Sequence, residues 1–146
     1  MPALLAEWAC QCLLAPPIEP GFVPVTPHLV ELRHDSPLPL QMQGIGRGGE
    51  NGGNWGLLCA ADAGFATLRM ALRPNQQAII PHGRRVPFRF HDPRVFVPCL
   101  ETCRGDDLDP WFGPVTDWWV PTGTGILHFR RGNGVLLRNE LPRPAI

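Results

Sequence analysis

Apolar and polar residues alternate through the middle of the chain. From 65 to 72, Ala66, Leu68, Met70 and Leu72 fall on one side of a period-two pattern, and Phe65, Thr67, Arg69 and Ala71 on the other. Successive side chains of an extended backbone point to opposite faces, so this alternation predicts a half-buried strand. The Ala61-Asp62-Ala63-Gly64 break predicts a hairpin loop back to a strand over 55–60. Val86, Phe88 and Phe90 mark a second alternating run, which His91-Asp92-Pro93 turns. Val95, Val97 and Cys99 then run back. Further strands are predicted over 115–120, 126–131 and 135–139. The last two are joined by Gly132-Asn133-Gly134, residue types that tolerate the positive φ of a tight hairpin turn. About seven short strands at this spacing predict an all-β fold, a small antiparallel sandwich or barrel built of hairpins.

The N-terminal pattern differs. Residues 3–14 place Leu4, Trp8 and Cys12 at i, i+4 spacing, with Glu7 and Gln11 as the only polar breaks, which predicts a helix. Pro16-Pro17 ends it. Prolines 20, 24, 27, 37 and 39 then restrict the chain to an extended arm, within which residues 29–33 can pair as an edge strand. The expected organisation is an N-terminal helix and proline-rich arm over 1–40 and a β domain over 41–146. A terminal helix apolar almost all round needs a surface to cover it. Leu4, Leu5, Trp8 and Leu13 are therefore expected to bind a partner subunit.

Charge narrows the class of partner. The 146 residues carry 13 basic and 13 acidic side chains, for a formal net charge of zero. Every basic residue is arginine. A balanced charge argues against a chain that tracks nucleic-acid phosphates. No run approaches the roughly 20 apolar residues that span a bilayer, so no membrane partner is expected. The first 14 residues lack the basic region and cleavage site of a signal peptide. Only 18% of residues are charged, which leaves few solubilising groups and favours a surface covered by other chains. Arginine forks suit such interfaces better than lysine does.

Candidate chemistry is thin. Gly44-Ile45-Gly46-Arg47-Gly48-Gly49 has the letters of a dinucleotide fingerprint, but more glycine and asparagine follow instead of a helix. Five cysteines, at 10, 12, 59, 99 and 103, fit no closed zinc spacing; they are expected to be core thiols, with a Cys99–Cys103 bridge as the alternative. Ser36, the only serine, sits in a turn-like His-Asp-Ser-Pro string without a nucleophile elbow. Arg104-Gly105-Asp106 spells an adhesion tripeptide with no supporting context. Asp106, Asp107 and Asp109 form an acidic loop without an EF-hand pattern. His82 and His91 flank one predicted strand, with Asp92 adjacent. No catalytic residue, cofactor or metal site is expected from these spacings.

Trp118-Trp119 carries the sharpest expectation. Neighbours on a strand face opposite ways, so one tryptophan enters the core and the other leaves it. The outward one is expected to anchor an interface, with Arg130 and Arg131 reaching acids of a neighbour. Taken together, these features lead us to expect a non-enzymatic structural subunit of a virus particle. A tailed-phage capsid decoration (cement) protein or a tail or neck protein, located in the virion and homo-oligomeric, is the form expected. The competing expectation is a small β-barrel enzyme or ligand-binding protein using His82, His91 and nearby acids.

Overall fold

A computed structural model describes residues 10–13, 26–37 and 54–142. Antiparallel β-sheet dominates, with few and short helices, and no barrel closes among the described residues. Strands β1 (Cys10–Cys12) and β2 (His28–Val30) form a two-stranded ribbon with Cys10 opposite Val30. The main sheet contains β3 (Leu58–Ala61), β6 (Val115–Pro121), β7 (Gly125–Gly132) and β8 (Val135–Pro142), in that order. Between β3 and β6 the chain makes helix α1 (Phe65–Leu72), a small hairpin of β4 (Gln77–Ile79) and β5 (Arg85–Pro87), and helix α2 (Pro93–Thr102). A short helix, Asp109–Phe112, leads into β6.

Two segments expected as strands are helices. In α1, Leu68 and Leu72 are buried while Met70 is 72% exposed. Leu68 and Leu72 stand four apart and satisfy a helical period as well as a period of two. Met70, two away from each, separates the readings, and it faces solvent. Alanine, leucine, arginine and methionine all favour helix, and only Thr67 is β-branched. In α2 the row expected to alternate, Val95, Val97 and Cys99, is not the buried one. Phe96 and Leu100, four apart, are both fully buried, whereas Val97 and Cys99 only pack against the core edge. The His91-Asp92-Pro93 string is a helix start instead of a hairpin turn. The Asp92 carboxylate accepts the Arg94 backbone N–H at 2.9 Å, and Pro93 takes the first helical position, where no N–H is needed.

The N-terminal helix is also corrected where it can be seen. Residues 10–12, expected as its last turn, are extended and paired in β1. Residues 3–9 lie outside the described residues. Leu13 is 4% exposed and joins the core of its own chain. Its N–H donates to the Pro27 carbonyl at 2.9 Å, and Arg69 Nε of α1 donates to the Cys12 carbonyl at 3.0 Å.

The core lies between the helices and one face of the main sheet. Trp118, Val120, Leu127 and Phe129 supply that face. Phe96 approaches Trp118 with ring centroids 4.9 Å apart, and Trp111 with centroids 5.5 Å apart in an edge-on contact. The indole Nε1 of Trp118 donates to the Trp111 carbonyl at 2.9 Å, so the buried polar group is satisfied.

Candidate partner-binding face

Strand register decides what the other side of the main sheet presents. Across β3, β6, β7 and β8, Leu58, Trp119, His128 and Asn139 stand in one row. Ala60, Asp117, Arg130 and Leu137 form the next row on the same side. Pro121, Ile126 and Leu141 form the row beyond. Each row alternates with one whose β6 and β7 members are buried, Trp118 with Phe129 and Val120 with Leu127, as pleating requires. Trp118 is therefore the inward tryptophan, at 2% exposure, and Trp119 the outward one. Leu58, Trp119 and Ile126 are half-buried, and Leu137 and Leu141 are exposed by 49% and 41%. Gly132 helps to place Leu137: a Cβ on that glycine would come within 2.8 Å of Leu137 Cδ1, so the leucine lies over bare backbone.

A polar group is set into this apolar face. His128 lies parallel to Trp119, with centroids 5.1 Å apart and 10° between planes. His128 Nε2 is 2.7 Å from Asp117 Oδ1, and Arg130 Nε forms an ion pair with the same oxygen at 3.0 Å. Burial acts to raise the Asp117 pKa. The hydrogen bonds from His128 and Thr116 and the Arg130 charge outweigh it and hold the carboxyl below its ordinary value. The histidine is thus fixed at both ends, by stacking and by a carboxylate, and in turn holds the indole in one orientation. A large, flat, pre-oriented aromatic loses little side-chain entropy on contact, which suits a binding anchor.

The two arginines expected to reach a neighbour are engaged at home. Arg130 pairs with Asp117, and Arg131 with Asp109 at the start of the short helix. Leu4, Leu5 and Trp8 lie outside the described residues, as does the glycine-rich string 44–49.

The other candidates separate. His82 stands at the tip of the β4–β5 hairpin with φ 71°, exposed. His91 precedes α2, and its Nδ1 is buried without a hydrogen-bond partner. Burial, then the Arg89 charge, lowers its pKa against the pull of Asp92. The Asp92 carboxylate does not serve His91, because Arg94 Nε and Nη2 hold it at 3.0 and 2.7 Å. Cys59, Cys99 and Cys103 are free thiols, and Cys12 Sγ donates to Thr26 Oγ1 at 3.2 Å. Burial pushes Cys59 up to about 11; burial and then the neighbouring Cys103 do the same to Cys99. Cys103 Sγ donates to the Cys99 carbonyl at 3.3 Å, one helical turn back. Among the described residues no group of three or more histidine, cysteine or acidic side chains is arranged to hold a metal ion. Asp107 of the acidic loop caps its own turn by accepting the Arg104 N–H. An open groove of about 440 Å³ runs beside that turn, lined by Glu101, Cys103, Arg104, Leu108, Val135 and Leu136 among others.

Residues 2–109 match the model of a family described as Domain of unknown function (DUF4123). The chain belongs to this family. No curated protein and no solved structure matches it. The DUF4123 match ends at Asp109, so β6, β7 and β8 lie beyond it while β3, their partner at one edge, lies within. Trp119 and its row therefore sit on a sheet that joins the matched and unmatched parts of the chain. Pairing of Trp119 with His128 was missed in the sequence, because strand register, not spacing, brings them together.

Proposed function

We propose that this chain is a protein-binding subunit that docks the outward face of its main sheet, centred on Trp119, onto another protein of a larger assembly. One observation carries the reading. Leu58, Trp119, Ile126, Leu137 and Leu141 share one side of the sheet and all keep surface open to solvent. Accessible apolar side chains gathered on one side of a sheet, on a chain with few charges, mark an interaction site. The Asp117–His128–Arg130 group within it supplies polar contacts that fix orientation. A partner sheet laid on this face would complete the two-layer sandwich expected from the strand pattern. A virus particle, capsid or tail, is the assembly that the sequence suggests and the first setting in which to look.

The test is the size of the native particle. Extracts of cells that naturally make the chain are fractionated by sedimentation, with the wild-type chain and with Trp119→Ala. The wild-type chain is expected in particles heavier than one chain, and the variant shifted towards the single chain. Loss of a central tryptophan typically costs about 2 kcal/mol or more of binding. A wild-type chain that sediments alone overturns the proposal.

A further inference from the structure

Among the described residues, strand β8 is an edge of the main sheet, with β7 on one side only. Its residues alternate in where their backbone groups point. Asn133 and Gly134 both have positive φ, 53° and 73°, so the β7–β8 turn is a two-residue hairpin closed by the Gly132–Val135 pair. That closing pair exchanges hydrogen bonds, and the pattern alternates from there. Val135, Leu137, Asn139 and Leu141 therefore turn their N–H and C=O towards β7. Leu136, Arg138 and Glu140 turn theirs to the free edge. Unpaired edges of this kind recruit another strand unless something blocks them.

The side chains of this edge read nearly the same from either end about Asn139: Leu137, Arg138, Asn139, Glu140, Leu141. We propose that β8 is a self-pairing edge, on which β8 of a second copy of this chain adds antiparallel about a two-fold axis at Asn139. This register sets Arg138 opposite Glu140 of the other copy, twice by symmetry, on the helix side of the sheet. It sets Leu137 opposite Leu141 on the outward side. The free N–H and C=O groups of Arg138 and Glu140 face each other and pair. Pro142, which has no N–H to offer, falls at the end of the paired stretch.

Charge selects this register against its neighbours. A slip by one residue breaks the alternation of faces. Moving the axis to Arg138 sets that arginine against itself, and moving it to Glu140 sets that glutamate against itself. Like charges directly opposite are unfavourable. Glu140 is exposed, with no ion pair to another described side chain, and Arg138 is only loosely held, 3.4 Å from Glu101 and half-exposed. Both can serve a second copy without dismantling a buried contact. Pairing also carries the apolar row of Ile126, Leu141 and Leu137 from one copy into the next, doubling the face described above. The inference rests on the protein-binding reading and names one partner within it.

Purified full-length chain is examined by sedimentation velocity at concentrations up to about 100 μM, where a complex of micromolar affinity is populated. Wild type is expected to dimerise. Glu140→Arg and Arg138→Glu alone each face like charge with like at both ends of the axis and are expected to weaken the dimer by about tenfold or more. Mixed in equal amounts, the two variants restore Arg–Glu pairs at both ends, and a heterodimer is expected. A wild-type chain monomeric throughout, or variants that dimerise as well alone as when mixed, overturns this register. A chain that is monomeric when pure but heavy in native extracts removes only the self-pairing, and leaves the protein-binding reading standing.

Discussion

Removing the Trp118 side chain should be among the most damaging single substitutions in this chain. Trp118 is 2% exposed, packs on Phe96 at 4.9 Å and Phe90 at 6.5 Å between centroids, and donates its indole N–H to the Trp111 carbonyl. Tryptophan to alanine in a packed core costs about 3–5 kcal/mol through lost transfer energy and the cavity left behind. The stranded Trp111 carbonyl adds about 1 kcal/mol. That sum reaches the lower end of the roughly 5–15 kcal/mol by which domains are stable, so Trp118→Ala is expected to leave much of the chain unfolded. Trp118→Phe keeps a ring in place and removes the donor and part of the volume, for an expected loss of about 2 kcal/mol. Trp119→Ala loses a stack on His128 and partial burial, and should cost less than about 1.5 kcal/mol. Urea unfolding of the three variants, followed by circular dichroism at constant m-value, gives the order. A Trp118→Phe variant as stable as wild type, or a Trp119→Ala variant less stable than it, refutes the assignment of faces.

Three further outcomes follow from the same contacts. Asp117 and Asp92 both have folded pKa values below the ordinary 3.8, so the unfolded chain takes up their protons first as pH falls. Their contribution is fully present above that value and is lost as pH drops through each folded value; Asp117→Asn should therefore flatten the acid limb of a stability–pH curve measured by thermal melts. Cys59 and Cys99, with pKa values pushed up to about 11, stay protonated at pH 8, and iodoacetamide should label them far more slowly in the native chain than in urea, read by peptide mass spectrometry. Gly134 holds φ 73°, where a β-branched side chain is strained, so Gly134→Val should cost about 2 kcal/mol in urea unfolding and loosen amide protection along β8 in hydrogen exchange.

The C-terminal half was the more legible part of this sequence. Gly132-Asn133-Gly134 announced its hairpin because only a narrow set of residues tolerates two successive positive φ angles. The Trp118-Trp119 pair announced an inside and an outside because strand geometry leaves no alternative. The middle of the chain misled for a definite reason. Leu68 and Leu72 lie four apart, a spacing that belongs to both periods, and only the exposed Met70 tells the periods apart; Val95, Val97 and Cys99 alternate like a strand face, but the buried pair Phe96 and Leu100 falls outside that row, at helical spacing. Asp92-Pro93 could be a turn or a helix start by composition alone; the capping bond to Arg94 decides it. Strands β1 and β2 are three residues each, too short for any period to register. The pairing of Trp119, His128, Asp117 and Arg130 was not readable at all, since it depends on the register between β6 and β7.

The claim that Trp119 marks a protein-binding face is tested most directly by site-specific photo-cross-linking. A photoreactive phenylalanine analogue is placed at position 119, and for comparison at exposed Asp62, in the loop between β3 and α1. The full chain is irradiated in the cells that make it, and adducts are resolved by mass. Position 119 should yield a discrete covalent adduct to another protein chain, and position 62 should yield none of comparable amount. Absence of any adduct from position 119, or equal labelling from both positions, would contradict the account.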